Sequence, residues 1–261
     1  MIINKTLKRT LLLLSVATVF GACGDKKTQK NEHKFDAPNV HTIIFIDKTQ
    51  SVDLSNAFVA QKYQQAISAL INENVNKAGD MFEAYYIHEN TSKARCLTLM
   101  SRTEYENTDG MNATDIEASK TSYDLSINKE RGIFTKQAIA RLMTANNGAS
   151  NQETNITASI PIIAKASESG DLVKVYYFSD MVESVKTGRD FHLHPPKDNA
   201  EAVSWAKQDA EKYKDYTLAS PDVTMILPFE PTSSSKENNP FVTAYWQKLF
   251  ETLGAANINE I

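Results

Sequence analysis

The chain has 261 residues, 41% hydrophobic and 23% charged, which suits one large α/β domain or two small ones with a full core. Formal net charge is −4; without Lys5, Lys8 and Arg9 of the amino-terminal segment the balance is 25 basic against 32 acidic residues, or −7. That argues against a nucleic-acid partner, which would call for a basic face, and two cysteines give no disulfide framework.

The first 22 residues predict a targeting segment. Lys5, Lys8 and Arg9 form a positive region, and residues 11–20 form an apolar run too short to span a bilayer. Phe20-Gly21-Ala22-Cys23 resembles the lipobox of bacterial lipoproteins, with Phe20 standing where Leu is usual. The resemblance implies cleavage before Cys23, acylation of that cysteine, and a protein anchored to a membrane of the bacterial cell envelope, on its periplasmic or surface face. Residues 23–39 are polar and predict a flexible lipidated tether; a domain is expected over residues 40–261.

The first strand is expected at residues 41–47, where the apolar run 43–46 has no polar break and stops at Asp47. Thr49 and Ser51 follow at alternate positions. Carboxylate and hydroxyl oxygens are hard ligands that suit Mg²⁺, Mn²⁺ or Ca²⁺, and open α/β sheets bind ligands beyond the carboxyl ends of their strands. A helix is predicted over 55–76 from the three- and four-residue spacing of Phe58, Val59, Tyr63, Ile67, Leu70 and Ile71. Residues 81–88 and 94–100 predict an antiparallel pair of strands. Cys96 falls in the second of these and reads as a small core residue. Residues 101–131 are polar and broken at Asp109-Gly110 and Arg131-Gly132, so surface loops with at most one short helix are expected.

Helices are then predicted over 133–143 and 156–167, the latter tolerating Pro161 near its first turn. Residues 172–178 predict the fourth strand, which ends in Ser179-Asp180 and so repeats the pattern of an apolar run delivering a carboxylate. A loop over 181–199, a helix over 200–213, a strand over 223–227 and an amphipathic helix over 241–253 complete the chain. Strands alternating with helices predict an open, mostly parallel sheet with helices on both faces and one antiparallel edge strand.

Residues 41–255 resemble a von Willebrand factor type A (vWA) domain. The family's first signature, Asp-x-Ser-x-Ser after an apolar strand, corresponds to Asp47-Lys48-Thr49-Gln50-Ser51, with Thr in place of the first Ser. Its second, a Thr in a loop leading into a helix, is best matched by Thr154, with Thr157 as the alternative. Its third, an Asp ending the fourth strand, is matched by Asp180. The resemblance implies a Rossmann-like fold and a metal-ion-dependent adhesion site. Asp47, Thr49, Ser51, Thr154 and Asp180 would hold Mg²⁺, Mn²⁺ or Ca²⁺, and an acidic group of a protein partner would complete the shell. It also implies binding in place of catalysis.

Other readings remain open at this stage. Asp47 and Asp180 around Mg²⁺ could serve a metal-dependent hydrolase, or the domain could be structural with a vestigial site. His192 and His194, with Asp190 and Asp198 nearby, could face one side of a strand and hold zinc. A phosphotransferase with a nucleophilic Asp47 is disfavoured because its second acid would fall at Thr49. No nucleophile elbow, Walker loop or dinucleotide fingerprint occurs.

Overall fold

Strand β1 (Val40–Asp47) is buried from its second residue to its last. Its side chains alternate between two cores: Ile43 and Phe45 lie in one, Ile44 and Ile46 in the other. A strand covered on both faces cannot afford polar alternation, which is why its sequence is a continuous apolar run. The computed structural model describes residues 37–145, 153–230, 233–234 and 238–261. The targeting segment, Cys23 and most of the expected tether lie outside them. Residues 37–261 form one compact unit.

Six strands make one sheet in the order β3-β2-β1-β4-β5-β6. They are β1, β2 (Met81–Ile87), β3 (Arg95–Met100), β4 (Leu172–Phe178), β5 (Asp222–Ile226) and β6 (Asn257–Glu260). All neighbours run parallel except β2 and β3, which form the expected antiparallel pair at one edge. Helices α1 (Ala57–Asn74) and α2 (Ala113–Met143) cover one face. Helices α3 (Ile160–Ser167), α4 (Asn199–Ala210) and α5 (Pro240–Leu253) cover the other. The chain is therefore a Rossmann-like α/β domain.

The helices start where short polar side chains can take up free amide protons. Asn56, Asn112 and Asn239 cap α1, α2 and α5, each accepting the N–H two residues on. Pro240 then occupies the first turn of α5, where its missing N–H costs nothing.

Two expectations are overturned. Residues 113–143 are one helix of 31 residues, not loops followed by a short helix. The part of it before Gly132 docks largely through polar side chains, which leave little apolar periodicity to read. Arg131 donates to the Val75 carbonyl (2.7 Å) and to Asn76 Oδ1 (2.7 Å), and Tyr123 donates to the Asn76 carbonyl. Glu130 accepts from Ser101 Oγ (2.6 Å) and the Arg102 amide (3.0 Å). Gly132 lies inside this helix and does not break it. The second correction is β6, a strand the sequence reading lacks. It reads Asn-Ile-Asn-Glu and pairs with β5 alone among the described strands, so three exposed polar residues and the half-buried Ile258 carry it.

Candidate metal centre

The strand order changes direction at β1 and β4. From β1 the chain winds outward through β2 and β3, and from β4 it winds the other way through β5 and β6. Loops leaving the carboxyl ends of β1 and β4 therefore part to opposite faces and leave a crevice between them, where such sheets bind ligands. Asp47 ends β1. Asp180 follows β4 by two residues. The β1–β4 register runs to Ile46 opposite Phe178, so Asp47 and Ser179 are the next pair along.

The two loops are stitched together by hydroxyls. Asp47 Oδ1 accepts the Thr49 amide (2.9 Å) and the Thr49 hydroxyl (2.6 Å). Asp47 Oδ2 accepts the Ser179 hydroxyl (2.7 Å) across 132 residues of sequence. Thr49 Oγ1 lies 3.2 Å from Ser51 Oγ, and Ser51 helps hold the Asp180 carboxyl down against its burial. Asp180 Oδ1 accepts the Val182 amide (3.0 Å). Met181 between them adopts φ 61°, a left-handed conformation that costs a residue with a Cβ roughly 1–2 kcal/mol. Two bonds hold it there: its N–H donates to Ser179 Oγ (3.0 Å) and its carbonyl accepts Trp246 Nε1 from α5 (2.7 Å).

Thus Asp47, Thr49, Ser51 and Ser179 form one hydrogen-bonded cluster, with Asp180 next in sequence to Ser179. Thr154 is not hydrogen-bonded into it. It is buried in the adjoining segment, where its N–H and carbonyl pair both ways with Ser184 (3.0 Å each). The hydroxyl of the alternative, Thr157, donates to Glu183 Oε1 (2.6 Å).

Burial pushes the Asp47 carboxyl up, the charge of Asp180 adds to this, and the bonds from Ser179 and Thr49 oppose it. Burial also raises Asp180, against the Val182 amide, Ser51 and the nearby His192. Two carboxylates thus share a dry crevice in which neither ionises easily. Lys48, next in sequence to Asp47, sends its ammonium to the far end of α2, where it donates to the Leu142 (2.5 Å) and Thr144 (2.8 Å) carbonyls. Cations are favoured at helix carboxyl ends. Burial lowers its pKa to about 8.

The donor set fits a hard cation. It offers two carboxylates and at least two hydroxyls, and Mg²⁺ is commonly held by one or two carboxylates while keeping several waters. Tyr63 strengthens the fit. Its phenol is fully buried with no hydrogen-bond partner, and both carboxylates are close enough to raise it after burial has done so. Among the described residues, no group of three or more His, Cys, Asp or Glu side chains is placed to hold a metal. Any cation here would therefore rest on two carboxylates supplemented by hydroxyls and water. The zinc reading of residues 190–194 lacks its third ligand by the same observation. Asp190 is occupied instead in accepting the His192 and Leu193 amides (3.1 Å each).

Sequence reasoning missed Ser179, Lys48, Tyr63 and Glu183. Ser179 could be found from strand register once β1 and β4 are paired. The others carry no local signal. Cys96 is half-buried on β3, and burial raises its thiol, as befits a packing residue.

No protein-family model matches the chain, and no curated protein matches it. Among solved structures it is similar to the manganese-loaded TRAP protein of Plasmodium vivax, at TM-score 0.35 and 12% identity, over 78% of this chain and 62% of that one. It is similar to proximal thread matrix protein 1 of the mussel byssus at 0.37 and 11%, over 86% and 44%. A von Willebrand factor type A protein from Catenulispora acidiphila matches at 0.32 and 14%, over 84% and 43%. The chain thus spans less than two thirds of each of these proteins. Likenesses this remote say nothing about its ligand, and its Rossmann-like class rests on its own strand order and register.

Proposed function

We propose that this chain is a vWA-like binding module that takes one divalent cation, Mg²⁺ or Mn²⁺, between Asp47 and Asp180. The cation would recruit an acidic group of a protein partner. The observation that carries the reading is the pair of buried carboxylates, Asp47 bonded to Thr49 and Ser179 and Asp180 following Ser179, where the strand order reverses. Bound there, a divalent ion would supply a positive centre with coordination positions to spare. The chain's own residues do the rest. Ser179 and the Thr49 amide fix the orientation of the Asp47 carboxylate, while the Val182 amide fixes that of Asp180. Thr49, Ser51 and Thr154 offer neutral oxygens, which keeps ligand charge low and leaves the ion receptive to an outside carboxylate. In this reading the module binds and does not catalyse. The amino-terminal motif supports a lipid anchor at Cys23 and a place in the bacterial cell envelope.

Titration calorimetry tests the site. Mn²⁺ should bind the wild-type chain with one site, and Asp180→Ala should weaken it by about tenfold or more, because ligand charge sets affinity. Equal affinities would rule the site out. A pull-down from native membranes, with and without EDTA and with Asp47→Ala as control, tests the recruiting role. A partner retained in all three conditions would mean that the metal is not what it recognises.

A further inference from the structure

Glu183 follows Asp180 by three residues and is 2% exposed. Its carboxylate reaches out of the β4 loop to the start of the turn that leads into α3. Oε2 accepts the Ile156 amide (2.7 Å) and the Thr157 amide (3.1 Å), and Oε1 accepts the Thr157 hydroxyl (2.6 Å). The next residue, Ser184, pairs both ways with Thr154. Five hydrogen bonds therefore fasten residues 154–157 to residues 183–184. Glu183 is itself held from behind, since its carbonyl accepts the Phe191 amide (2.8 Å), and Phe191 packs edge-on against Tyr245 and Trp246 of α5.

A carboxylate is a costly way to cap a helical turn in the interior. Burial pushes Glu183 up to about 7 against the three bonds it accepts. A local Ser, Thr or Asn could satisfy the same amides without desolvating a charge. What a local cap could not do is tie this turn to a loop from another strand. The carboxylate also takes up the hydroxyl of Thr157, while Thr154 is held through its backbone by Ser184.

We infer that Glu183 is a positioning residue of the cation site, which clamps the 154–157 turn to the Asp180 loop and so presents Thr154 as a further oxygen donor. The inference rests on the cation reading above. Glu183 acts through Thr154, so the two should not contribute independently.

The test is a set of Mn²⁺ titrations on the full chain. Glu183→Ala should weaken Mn²⁺ by about tenfold or more, the usual cost of losing a residue that orients a ligand. Glu183→Gln keeps an acceptor for both amides and should stay within about twofold of wild type, the spread expected of independent sites. In a Thr154→Ala background, Glu183→Ala should add nothing further. Amide exchange at Ile156 and Thr157 should accelerate in Glu183→Ala with or without Mn²⁺.

An equal loss in both backgrounds, or no loss while wild type binds Mn²⁺, overturns the clamp and leaves the cation reading standing. A wild-type chain that takes up no Mn²⁺ overturns the cation reading and Glu183's part in it, even if the amides do lose protection. Should Glu183→Ala not fold, Thr157→Val removes only one of the three bonds. It should weaken Mn²⁺ in the same Thr154-dependent way, and an unchanged affinity there sinks the proposal.

Discussion

Three carboxyls in the loops after β1 and β4, those of Asp47, Asp180 and Glu183, are held above their usual range by burial. Glu183 is pushed to about 7, whereas an unfolded glutamate titrates near 4. Between those values the folded chain binds more protons than the unfolded one, so stability falls as pH rises through the window. Glu83 works elsewhere. Despite its burial, His41, Arg95 and Tyr85 hold it down to about 2, so its contribution is lost only below about pH 4. His88, held down by burial, opposes the slope as a single half-exposed group. In EDTA the chain should therefore melt at a higher temperature at pH 5.5 than at pH 8. Asp47→Asn should flatten that slope and raise the melting temperature at pH 8, because burial and Asp180 push the Asp47 carboxyl up to about 7. Thermal melts across pH 5–8 check both, and a slope that Asp47→Asn leaves unchanged would contradict the assignment.

Gly132 and Gly254 sit in two helices and have opposite reasons to be there. A Cβ added at Gly132, inside α2, meets nothing within 4 Å, so Gly132→Ala should stabilise by about 0.5–1 kcal/mol through helix propensity. Gly254 ends α5 at φ 105°, and a Cβ there would stand 2.6 Å from the Leu218 carbonyl oxygen. Gly254→Ala should cost about 1–3 kcal/mol, as strained backbone does. Urea denaturation of both variants measures the contrast, and a destabilised Gly132→Ala would mean that the glycine serves a purpose other than tolerance. The same residues explain what can be read from the sequence. Strands β1, β2, β4 and β5 and helices α1 and α5 are legible because burial imposes an apolar period on them. Most of α2 is not, because Arg131, Tyr123 and Glu130 dock it through hydrogen bonds and Gly132 imitates a break. Nor is β6, an edge strand whose partner lies on one side only. In the site, Asp47 and Asp180 are legible because each ends an apolar run. Glu183 is not, because its three partners lie 26 and 27 residues earlier in the chain.

At the scale of the whole molecule, the sheet is two halves meeting at one parallel seam, β1 against β4. Everything from α1 to α3 lies between those strands in the chain. Pairing Val40 with Leu172 therefore closes a loop of well over a hundred residues, whereas the β2–β3 pair needs only a short one. Long-range pairings of this kind must meet their entropy cost before any contact rewards it, which makes them slow. The Asp47–Ser179 bond spans the seam, so the two halves of the proposed cation site, on β1 and after β4, stay apart until it closes. An ion that needs both can then act only on species in which the seam already exists. Mn²⁺ at a hundred times its dissociation constant should slow unfolding by about a hundredfold, the whole of its roughly 2.7 kcal/mol. It should leave the refolding rate as it was, the pattern of interactions made after the barrier. Stopped-flow unfolding and refolding with and without Mn²⁺ would show this, with unfolding of Asp180→Ala slowed by about tenfold or less at the same Mn²⁺ and its refolding unchanged. A cation bound across such a seam holds the folded chain shut without helping it to fold.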